Sequence, residues 1–394
     1  MKYNFDEIIS RKNTNSIKWN LAENHDVLPM WVADMDFKTP PEIIKALSEK
    51  ALQGTFGYSF IPENFYEAII HWWKISYQYD IKRDWILHVP GTIPAISAII
   101  RAYLQPGENI IIQPPVYNHF FNAIENCDCN AIENKLIYEN GDYHIDFNDL
   151  EIKAKDPKTK MLLICNPQNP VGRVWTRQEL EKIVSICSQH NLIIVSDEIH
   201  ADLVFENYRH IPLASVAQTS DIISFTCGSP CKTFNISGLS VAYIISEDPK
   251  FLKSVEKLLE KQETATINPF AVEALITAYT QSKSWLEELK DYIYSNYQFL
   301  KDFCKENMPE IKVTTLQATY LVWLDCSSLD IKSDEFSKLL LEEEKLWLNS
   351  GTMYGDSGEG FLRINIACPK ALLIEGLKKL ENGYNKVLNK KNSP

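Results

Sequence analysis

The sequence lacks the marks of several large protein classes. It has 14 glycines among 394 residues, about half the usual share of roughly 7%, which excludes collagen-like chains and glycine-rich linkers. Its nine cysteines are odd in number and scattered without a CxxC pair, so we expect reduced thiols rather than a disulfide framework. No apolar run approaches the roughly 20 residues that span a bilayer, and the acidic start has no apolar core like that of a signal peptide. These absences predict a cytoplasmic protein without membrane contact.

Motifs of common metal, hydrolase and dinucleotide sites are absent as well. The eight histidines show no HExxH or HxH spacing, and neither a GxSxG elbow nor a GxGxxG fingerprint occurs. We therefore predict no metal site. The formal charge of −12 argues against a nucleic-acid partner, which would favour a basic face.

What the sequence does contain is an alternation of short apolar runs and helical patterns. The capping box Thr176-Arg177-Gln178-Glu179 predicts a helix over 177–190, and Asn268-Pro269 predicts the start of another. Apolar positions at helical spacing predict a further helix over 94–104. Five mostly apolar runs predict buried strands of a mostly parallel sheet, namely 109–113, 161–165, 192–196, 222–226 and 241–245. This alternation predicts a three-layer α/β/α domain.

The pattern changes after about Trp285. A long charged helix over 285–306 and two short strands, 319–324 and 361–366, predict a smaller α+β domain. We predict a large domain over residues 46–285, and a small domain formed by 286–394 together with 1–45. The N-terminal forty residues have no helical period, so we expect an extended segment that crosses between the two domains.

Three of the predicted strands are followed by side chains that can do chemistry. Asn169 follows the second apolar run, Asp197 directly follows the third, and Lys232 follows the fourth. Ligands of open α/β sheets bind outside the carboxyl ends of the strands. If these three strands are neighbours, an amide, a carboxylate and an amine meet in one crevice.

This set of groups suits pyridoxal 5′-phosphate (PLP). PLP bonds covalently to a lysine and needs an acid at its ring nitrogen, a donor at its phenolic oxygen and a helix N-terminus for its phosphate. Gly91, Thr92 and Ile93 open a predicted helix and could supply that last element, because glycine lets the backbone approach closely and the free N–H groups point at the anion.

Six segments then resemble, in order, the fold-type I PLP enzymes of the class I/II aminotransferase family. In particular, they are similar to the cystathionine β-lyases, or carbon–sulfur lyases, of the MalY/PatB type. They span residues 31 to 369 and read WVADMDF (31–37), FGY (56–58), NPQNPVGRVW (166–175), SDEIH (196–200), SPCKTFNISGL (229–239) and YGDSGEGFLRINIACP (354–369).

The resemblance implies a role for each matching residue. Lys232 lies where the family's cofactor-binding lysine sits, and Asp197 matches the acid under the ring nitrogen. Tyr117 matches the aromatic residue that stacks on the ring. Asn169 matches the amide at the phenolic oxygen, which also reaches the substrate carboxylate. Arg363 matches the arginine that clamps this carboxylate with its two-pronged guanidinium.

Further matches concern the phosphate and the subunit arrangement. Ser229 matches a phosphate contact. Tyr58 matches a tyrosine that reaches the phosphate of the neighbouring subunit, so the resemblance implies a homodimer with shared active sites. General aminotransferases often have a tyrosine where this chain has His200 and an arginine where it has Ser240. The lyases share both departures; His200 is included among the cofactor-binding candidates, with its role open.

These residues predict a PLP-dependent C–S β-lyase. Its substrates would be cystathionine or cysteine-like S-substituted amino acids, and its products pyruvate, ammonia and a thiol. An aminotransferase of the same family shares every step through removal of the Cα proton and is one alternative. A PLP-binding regulatory protein that keeps the fold is a second.

Overall fold

The computed structural model describes residues 2–21, 26–218 and 220–391. The α-helices in these ranges are α1 (Ile17–Asn20), α2 (Pro41–Leu52), α3 (Glu63–Tyr77), α4 (Thr92–Tyr103), α5 (His119–Glu125), α6 (Phe147–Ala154), α7 (Arg177–Gln189), α8 (Ala214–Ala217), α9 (Pro249–Lys261), α10 (Pro269–Gln281), α11 (Lys283–Asn307), α12 (Ser333–Glu343) and α13 (Lys370–Lys391). The strands are β1 (Leu28–Pro29), β2 (Ile86–Val89), β3 (Asn109–Ile112), β4 (Asn130–Glu133), β5 (Ile137–Glu139), β6 (Asp142–His144), β7 (Thr159–Cys165), β8 (Ile193–Asp197), β9 (Ser224–Gly228), β10 (Ala242–Ile245), β11 (Lys312–Val313), β12 (Leu321–Asp325), β13 (Leu346–Trp347), β14 (Asn349–Ser350) and β15 (Phe361–Asn365).

The large sheet has the strand order β2-β10-β9-β8-β7-β3-β4, and β10 pairs antiparallel with both of its neighbours. The mostly parallel sheet predicted from the five apolar runs is therefore confirmed, with strand ends shifted by one or two residues. Pairing with the neighbouring strands decides where a strand ends. Asp197, for example, belongs to β8 because it pairs with Cys165 on one side and with Cys227 on the other. The strand β4 had no apolar signal, since it lies at the sheet edge and its residues are only partly buried.

Helices cover both faces of this sheet, as the three-layer prediction requires. Along β7, Met161 and Leu163 pack into one apolar cluster with α4, α5 and α9. Leu162 and Ile164 point the other way and pack with α6, α7 and α8. Alternation of successive side chains between the two faces is the period of a strand, and here both faces are buried.

The predicted helix starts follow the capping chemistry. The Thr176 hydroxyl accepts a hydrogen bond from the Glu179 backbone N–H at 3.2 Å, and the Glu179 carboxylate accepts one from the Thr176 N–H at 2.7 Å. The side chain of Asn268 accepts a hydrogen bond from the N–H of Phe270 at 2.9 Å, with Pro269 as the first residue of α10.

A second sheet is built from the C-terminal part of the chain. It is antiparallel, in the order β11-β12-β15-β14. The predicted strand over 319–324 begins two residues late, because Thr319 has a left-handed backbone with φ of 72°. The N-terminal segment is mostly extended, as expected, and runs along this part of the molecule: Asn365 N–H donates to Met30 O at 2.9 Å. The short α1 lies in the stretch predicted to have no helix.

The largest apolar cluster includes α3 and α10 as well as α11 and the strands of the second sheet. The division at residues 285/286 therefore stays a prediction. Among the described helices, none is long and apolar enough to cross a membrane.

Candidate active site

The candidate site lies where the carboxyl ends of β7, β8 and β9 meet, since these strands are direct neighbours in the large sheet. Asn169 lies in the loop after β7, Asp197 is the last residue of β8, and Lys232 lies in the turn after β9. Arg363 reaches the same place from β15 of the second sheet and donates to Asn169 Oδ1 at 3.1 Å. The structure thus joins the strand ends to a residue that is remote in sequence.

Asp197 is a buried carboxyl group with few nearby groups that stabilise its ionised form. Its side chain is 2% exposed and accepts a hydrogen bond from the Ile199 N–H at 3.2 Å. Burial raises the pKa of Asp197 to about 7, and the Lys232 amine opposes this shift. A cationic group placed against this carboxyl would favour its ionised form.

The neighbouring acid, Glu198, has a different environment. It is equally buried, but its carboxylate accepts hydrogen bonds from Ser196 Oγ at 2.8 Å and from the Leu213 N–H at 2.9 Å. His210 Nε2 lies 2.7 Å from its other oxygen. Glu198 is therefore occupied by structural contacts behind the strand, whereas Asp197 is available to a ligand.

The Lys232 amine lies on a partly buried side chain and is held by a backbone carbonyl. Its Nζ donates to the carbonyl oxygen of Ala33 at 2.7 Å. Burial lowers the pKa of Lys232, and the Arg363 guanidinium acts in the same direction, while Asp34 and Asp197 oppose the shift. A lowered pKa increases the share of neutral amine, which is the form that acts as nucleophile or base.

Arg363 is a buried cation whose hydrogen-bond acceptors are neutral. It is 3% exposed, and it donates to Asn169 Oδ1 and, at 2.7 Å, to the carbonyl oxygen of Trp31. Its guanidinium carbon lies 4.9 Å from the centre of the Tyr354 ring. Its Nε has no hydrogen-bond partner among the described residues. A guanidinium held in this way is suited to bind a carboxylate.

Tyr117 and His200 border the same space. Burial raises the pKa of Tyr117 to about 12, and the charges of Arg363 and Asp197 act on this pKa in opposite directions. Burial lowers the pKa of His200 to about 3, and the positive charges of Lys232 and Arg363 add to this effect. His200 is therefore a neutral imidazole, and its Nδ1 has no partner in the described part of the chain.

Two groups are expected to bind the phosphate: the N-terminus of α4, whose N–H groups no described side chain caps, and Ser229, whose hydroxyl is already hydrogen-bonded. The helix α4 begins at Thr92, and no side chain of the described residues caps it at Gly91, which leaves the first-turn N–H groups, including those of Thr92 and Ile93, available. Ser229 instead uses its hydroxyl within its own turn, donating to Val241 O at 2.6 Å and accepting from the Cys231 N–H at 3.0 Å.

Tyr58 is not part of the crevice of its own chain. Its side chain is fully exposed, and Phe56 and Phe60 beside it are exposed as well. The contacts that join Lys232, Asn169 and Arg363 to their neighbours do not include it.

One further site residue, Tyr320, is indicated by no motif of the sequence. Tyr320 is buried and donates its hydroxyl to Ala33 O at 3.1 Å, the same oxygen that accepts from Lys232. The segment 31–37 resembles that of the family, but side-chain identity gives no sign that its backbone carbonyl oxygens accept these hydrogen bonds. Among the described residues, no cluster of His, Cys, Asp and Glu is arranged to hold a metal ion.

The chain is similar over nearly its whole length to proteins of one family. The model of the aminotransferase class I and II family matches residues 25–380. Cystathionine beta-lyase PatB of Bacillus subtilis is 37% identical over 382 residues, which cover 96% of this chain and 99% of that protein.

Two solved structures have the same fold. A PLP-bound putative aminotransferase from Clostridium difficile 630 superposes with a TM-score of 0.95 at 40% identity, covering 97% of this chain and 100% of that one. Cystalysin from Treponema denticola, whose structure contains a pyridoxal 5′-phosphate cofactor, gives 0.94 at 35% identity, with 98% and 100% covered. These likenesses confirm the predicted fold class.

Proposed function

The chain belongs to the aminotransferase class I and II family, and from this premise we propose that it is a PLP-dependent carbon–sulfur β-lyase. Its substrates are cystathionine or cysteine-like S-substituted amino acids, which it converts to pyruvate, ammonia and a thiol. The observation that carries the proposal is the meeting of the partly buried Lys232 with the buried side chains of Asp197, Asn169 and Arg363 in one crevice. The likeness to the cystathionine beta-lyase PatB supports the sulfur amino acid as substrate, and the likeness to PLP-containing cystalysin supports the cofactor.

The residues of the crevice fit PLP. Lys232 would hold it covalently, Asp197 would pair with its ring nitrogen, and the N-terminus of α4 would hold its phosphate. The raised pKa of Asp197 supports this assignment, because a buried carboxyl without a cationic partner is the environment that a protonated ring nitrogen completes. Tyr117 would cover the ring, and the amide of Asn169 would contact its phenolic oxygen.

Bound PLP supplies an electron sink for the pair left behind when the substrate loses its Cα proton. Arg363 and Asn169 hold the substrate carboxylate and so fix the direction of the Cα–H bond, which is a positioning effect. The substrate's amine would first displace Lys232 from its covalent bond to the cofactor, and the freed amine of Lys232 would then take the proton. Its burial suits it to this task, because the lowered pKa leaves more of the amine neutral near pH 7.

An aminotransferase uses the same side chains up to proton removal. The departures at His200 and Ser240 and the likeness to PatB support the lyase. The assay that separates the two supplies cystathionine without any 2-oxo acid. We expect pyruvate and free thiol in equal amounts; strict dependence on an added 2-oxo acid would instead establish the aminotransferase. A purely regulatory role would leave both assays without turnover.

We further propose that the chain forms a homodimer with shared active sites in the cytoplasm. Tyr58 is fully exposed in the single chain, and the apolar side chains of Leu52, Phe56 and Phe60 are exposed by 85%, 61% and 82%. A second copy would bury this surface and bring Tyr58 to the phosphate of the neighbouring site. The nine buried free cysteines support a reducing compartment.

The experiment that tests cofactor binding is a visible spectrum of the purified protein with PLP, before and after borohydride. We expect an absorption band that borohydride abolishes through reduction onto Lys232, and we expect Lys232→Ala to lack the band. The exposed Lys45 provides the matched control, because Lys45→Ala removes a lysine whose ion-pair partner is Glu49 of its own helix. A band that survives in Lys232→Ala contradicts the assignment.

A further inference from the structure

Two basic side chains from the N-terminal segment hold the backbone that lines the site. The first is Lys18, whose Nζ lies 2.7 Å from Asp36 Oδ2. Both side chains are buried, with exposed fractions of 1% for Lys18 and 5% for Asp36. The same ammonium donates to the carbonyl oxygen of Asp34 at 2.8 Å. The indole N–H of Trp19 donates to Asp36 Oδ1 at 2.8 Å. The buried ammonium of Lys18 thus binds both the Asp36 carboxylate and the backbone carbonyl of Asp34.

The second basic side chain is Arg11, which binds the same stretch from a partly exposed position. Its Nη2 lies 2.7 Å from Asp34 Oδ2, and its Nη1 donates to the carbonyl oxygen of Met35 at 3.0 Å. We call Arg11 and Lys18 the clamp, and residues 31–36 the site segment.

Other backbone oxygens of the site segment contact the candidate catalytic groups. The carbonyl oxygen of Ala33 accepts from Lys232 Nζ at 2.7 Å and from the Tyr320 hydroxyl at 3.1 Å. The carbonyl oxygen of Trp31 accepts from Arg363 Nη2 at 2.7 Å. The position of this backbone therefore bears directly on where the amine and the guanidinium lie.

Neutral contacts also hold the site segment. Asn365 Nδ2 donates to the carbonyl oxygens of Val32 and Asp34 at 2.6 and 2.8 Å, and the Trp31 ring stacks on Trp347 with centres 4.3 Å apart. The clamp adds ionic contacts to these. An apolar replacement of a buried ion pair is often neutral or stabilising, so packing alone does not require Lys18 and Asp36 here.

We propose that Arg11 and Lys18 are positioning residues, which fix the backbone of the site segment so that its carbonyl oxygens orient Lys232 and Arg363. The effect on turnover rests on the proposed function. The effect on the backbone does not, because it concerns contacts within the chain that exist without a cofactor.

The test compares Arg11→Gln and Lys18→Met with Lys38→Gln as the matched control. Lys38 also forms an ion pair with the N-terminal segment, to Glu7 at 2.5 Å, but its side chain is 55% exposed and its carboxylate partner lies outside the site segment. Lys18→Met removes the nearer of two cations from the buried Asp36 and leaves Arg11 Nη1 at 3.7 Å from Asp36 Oδ1, so the double variant Lys18→Met/Asp36→Leu is included as a form that removes the Lys18–Asp36 pair entirely. Arg11 is partly exposed, and its variant carries the test should the Lys18 variants fail to fold.

The first measurement is hydrogen–deuterium exchange of the full-length protein, read on peptides that cover the site segment. We expect exchange there to become at least about tenfold faster in the clamp variants than in Lys38→Gln, since exchange reports local opening. Equal exchange in all variants overturns the proposal, whether or not the protein proves to be a lyase.

The second measurement uses the PLP-loaded protein and two kinetic quantities. We expect kcat/KM for cystathionine to fall by about a hundredfold, as small displacements of reacting groups can do. We expect the inhibition constant of propionate, a carboxylate probe for Arg363, to rise about tenfold, because its charge-assisted hydrogen bonds weaken. Lys38→Gln leaves both unchanged.

A merely structural role gives a different pattern. The clamp variants would then have a lower melting temperature, but folded enzyme would keep its kcat/KM and its propionate inhibition constant, and that result overturns the proposal. Failure of the proposed function appears separately, as wild-type protein that neither binds PLP nor cleaves cystathionine.

Discussion

Arg363 Nη1 donates a hydrogen bond to Asn169 Oδ1 across 3.1 Å, although 194 positions separate the two residues. Asn169 follows β7 of the large sheet, and Arg363 lies in β15 of the second sheet. The candidate carboxylate site therefore exists only where the two sheets meet. Any change in their relative placement would separate the amide from the guanidinium.

Replacing Arg363 by lysine tests the proposed role of Arg363 in binding the substrate carboxylate. An ammonium is a point charge and does not reproduce a two-pronged contact, so we expect KM for cystathionine to rise by about a hundredfold. The PLP absorption band should persist, since Arg363 has no assigned role in cofactor binding. The exposed Arg177 is the control, and Arg177→Lys should keep the wild-type KM. An unchanged KM in Arg363→Lys would remove this residue from the substrate site.

Asp197→Asn tests the buried carboxyl through stability as well as activity. In the cofactor-free protein, burial raises the pKa of Asp197 to about 7 from its usual 3.8. The unfolded carboxyl then ionises at lower pH than the folded one, so this group costs stability as pH rises from about 4 to 7. Between pH 5 and 7.5 we expect wild type to lose about 2 to 3 kcal/mol relative to Asp197→Asn.

The measurement is urea unfolding of both cofactor-free proteins at the two pH values. The same variant, loaded with PLP, should lose most of its lyase activity because the ring nitrogen lacks its acid partner. A stability difference between the two proteins that is the same at both pH values contradicts the assignment of the raised pKa.

His88 is a second buried group with a pH signature, and it has no role in the proposed chemistry. It lies on β2, is 5% exposed, and neither ring nitrogen has a hydrogen-bond partner among the described residues. Burial lowers the pKa of His88 to about 4. The unfolded chain therefore binds a proton that the folded chain does not, and stability falls as pH drops from about 6.5 to 4.

Between pH 7.5 and 4 we expect wild type to lose about 3 kcal/mol more than His88→Leu, since each pKa unit is worth about 1.4 kcal/mol. Urea unfolding at the two pH values measures this, with the exposed His71→Leu as control. Parallel pH curves for wild type and His88→Leu would show that His88 does not titrate in this way.

Tyr58 and Lys232 allow a test of shared active sites. If Tyr58 serves the neighbouring subunit, Tyr58→Ala and Lys232→Ala are each impaired, but a mixed dimer contains one intact site. Co-refolding the two variants in equal amounts should restore about a quarter of wild-type activity, because half of the dimers are mixed and each has one working site. Activity that stays at the level of the separate variants argues against the sharing.

Several features of this protein could be predicted from local patterns. The apolar runs that became β7 and β8 and the capping box at Thr176 are encoded by neighbours a few residues apart. Strand and helix periods act over such distances, so element type and the placement of Asp197 and Lys232 at strand ends follow from them. The edge strand β4 did not, since a partly exposed strand needs no apolar run.

The sequence by itself determined the class of fold and, through its likeness to a family, the side chains proposed for the chemistry. Tertiary structure decided which groups meet: Ala33 O with Lys232 and Tyr320, Trp31 O with Arg363, and the N-terminal clamp with the backbone between them. Backbone oxygens are alike in every residue, and their partners lie up to 332 positions away. Only the packing of the two sheets against the N-terminal segment assigns such contacts, because no local period or motif records a distance in space.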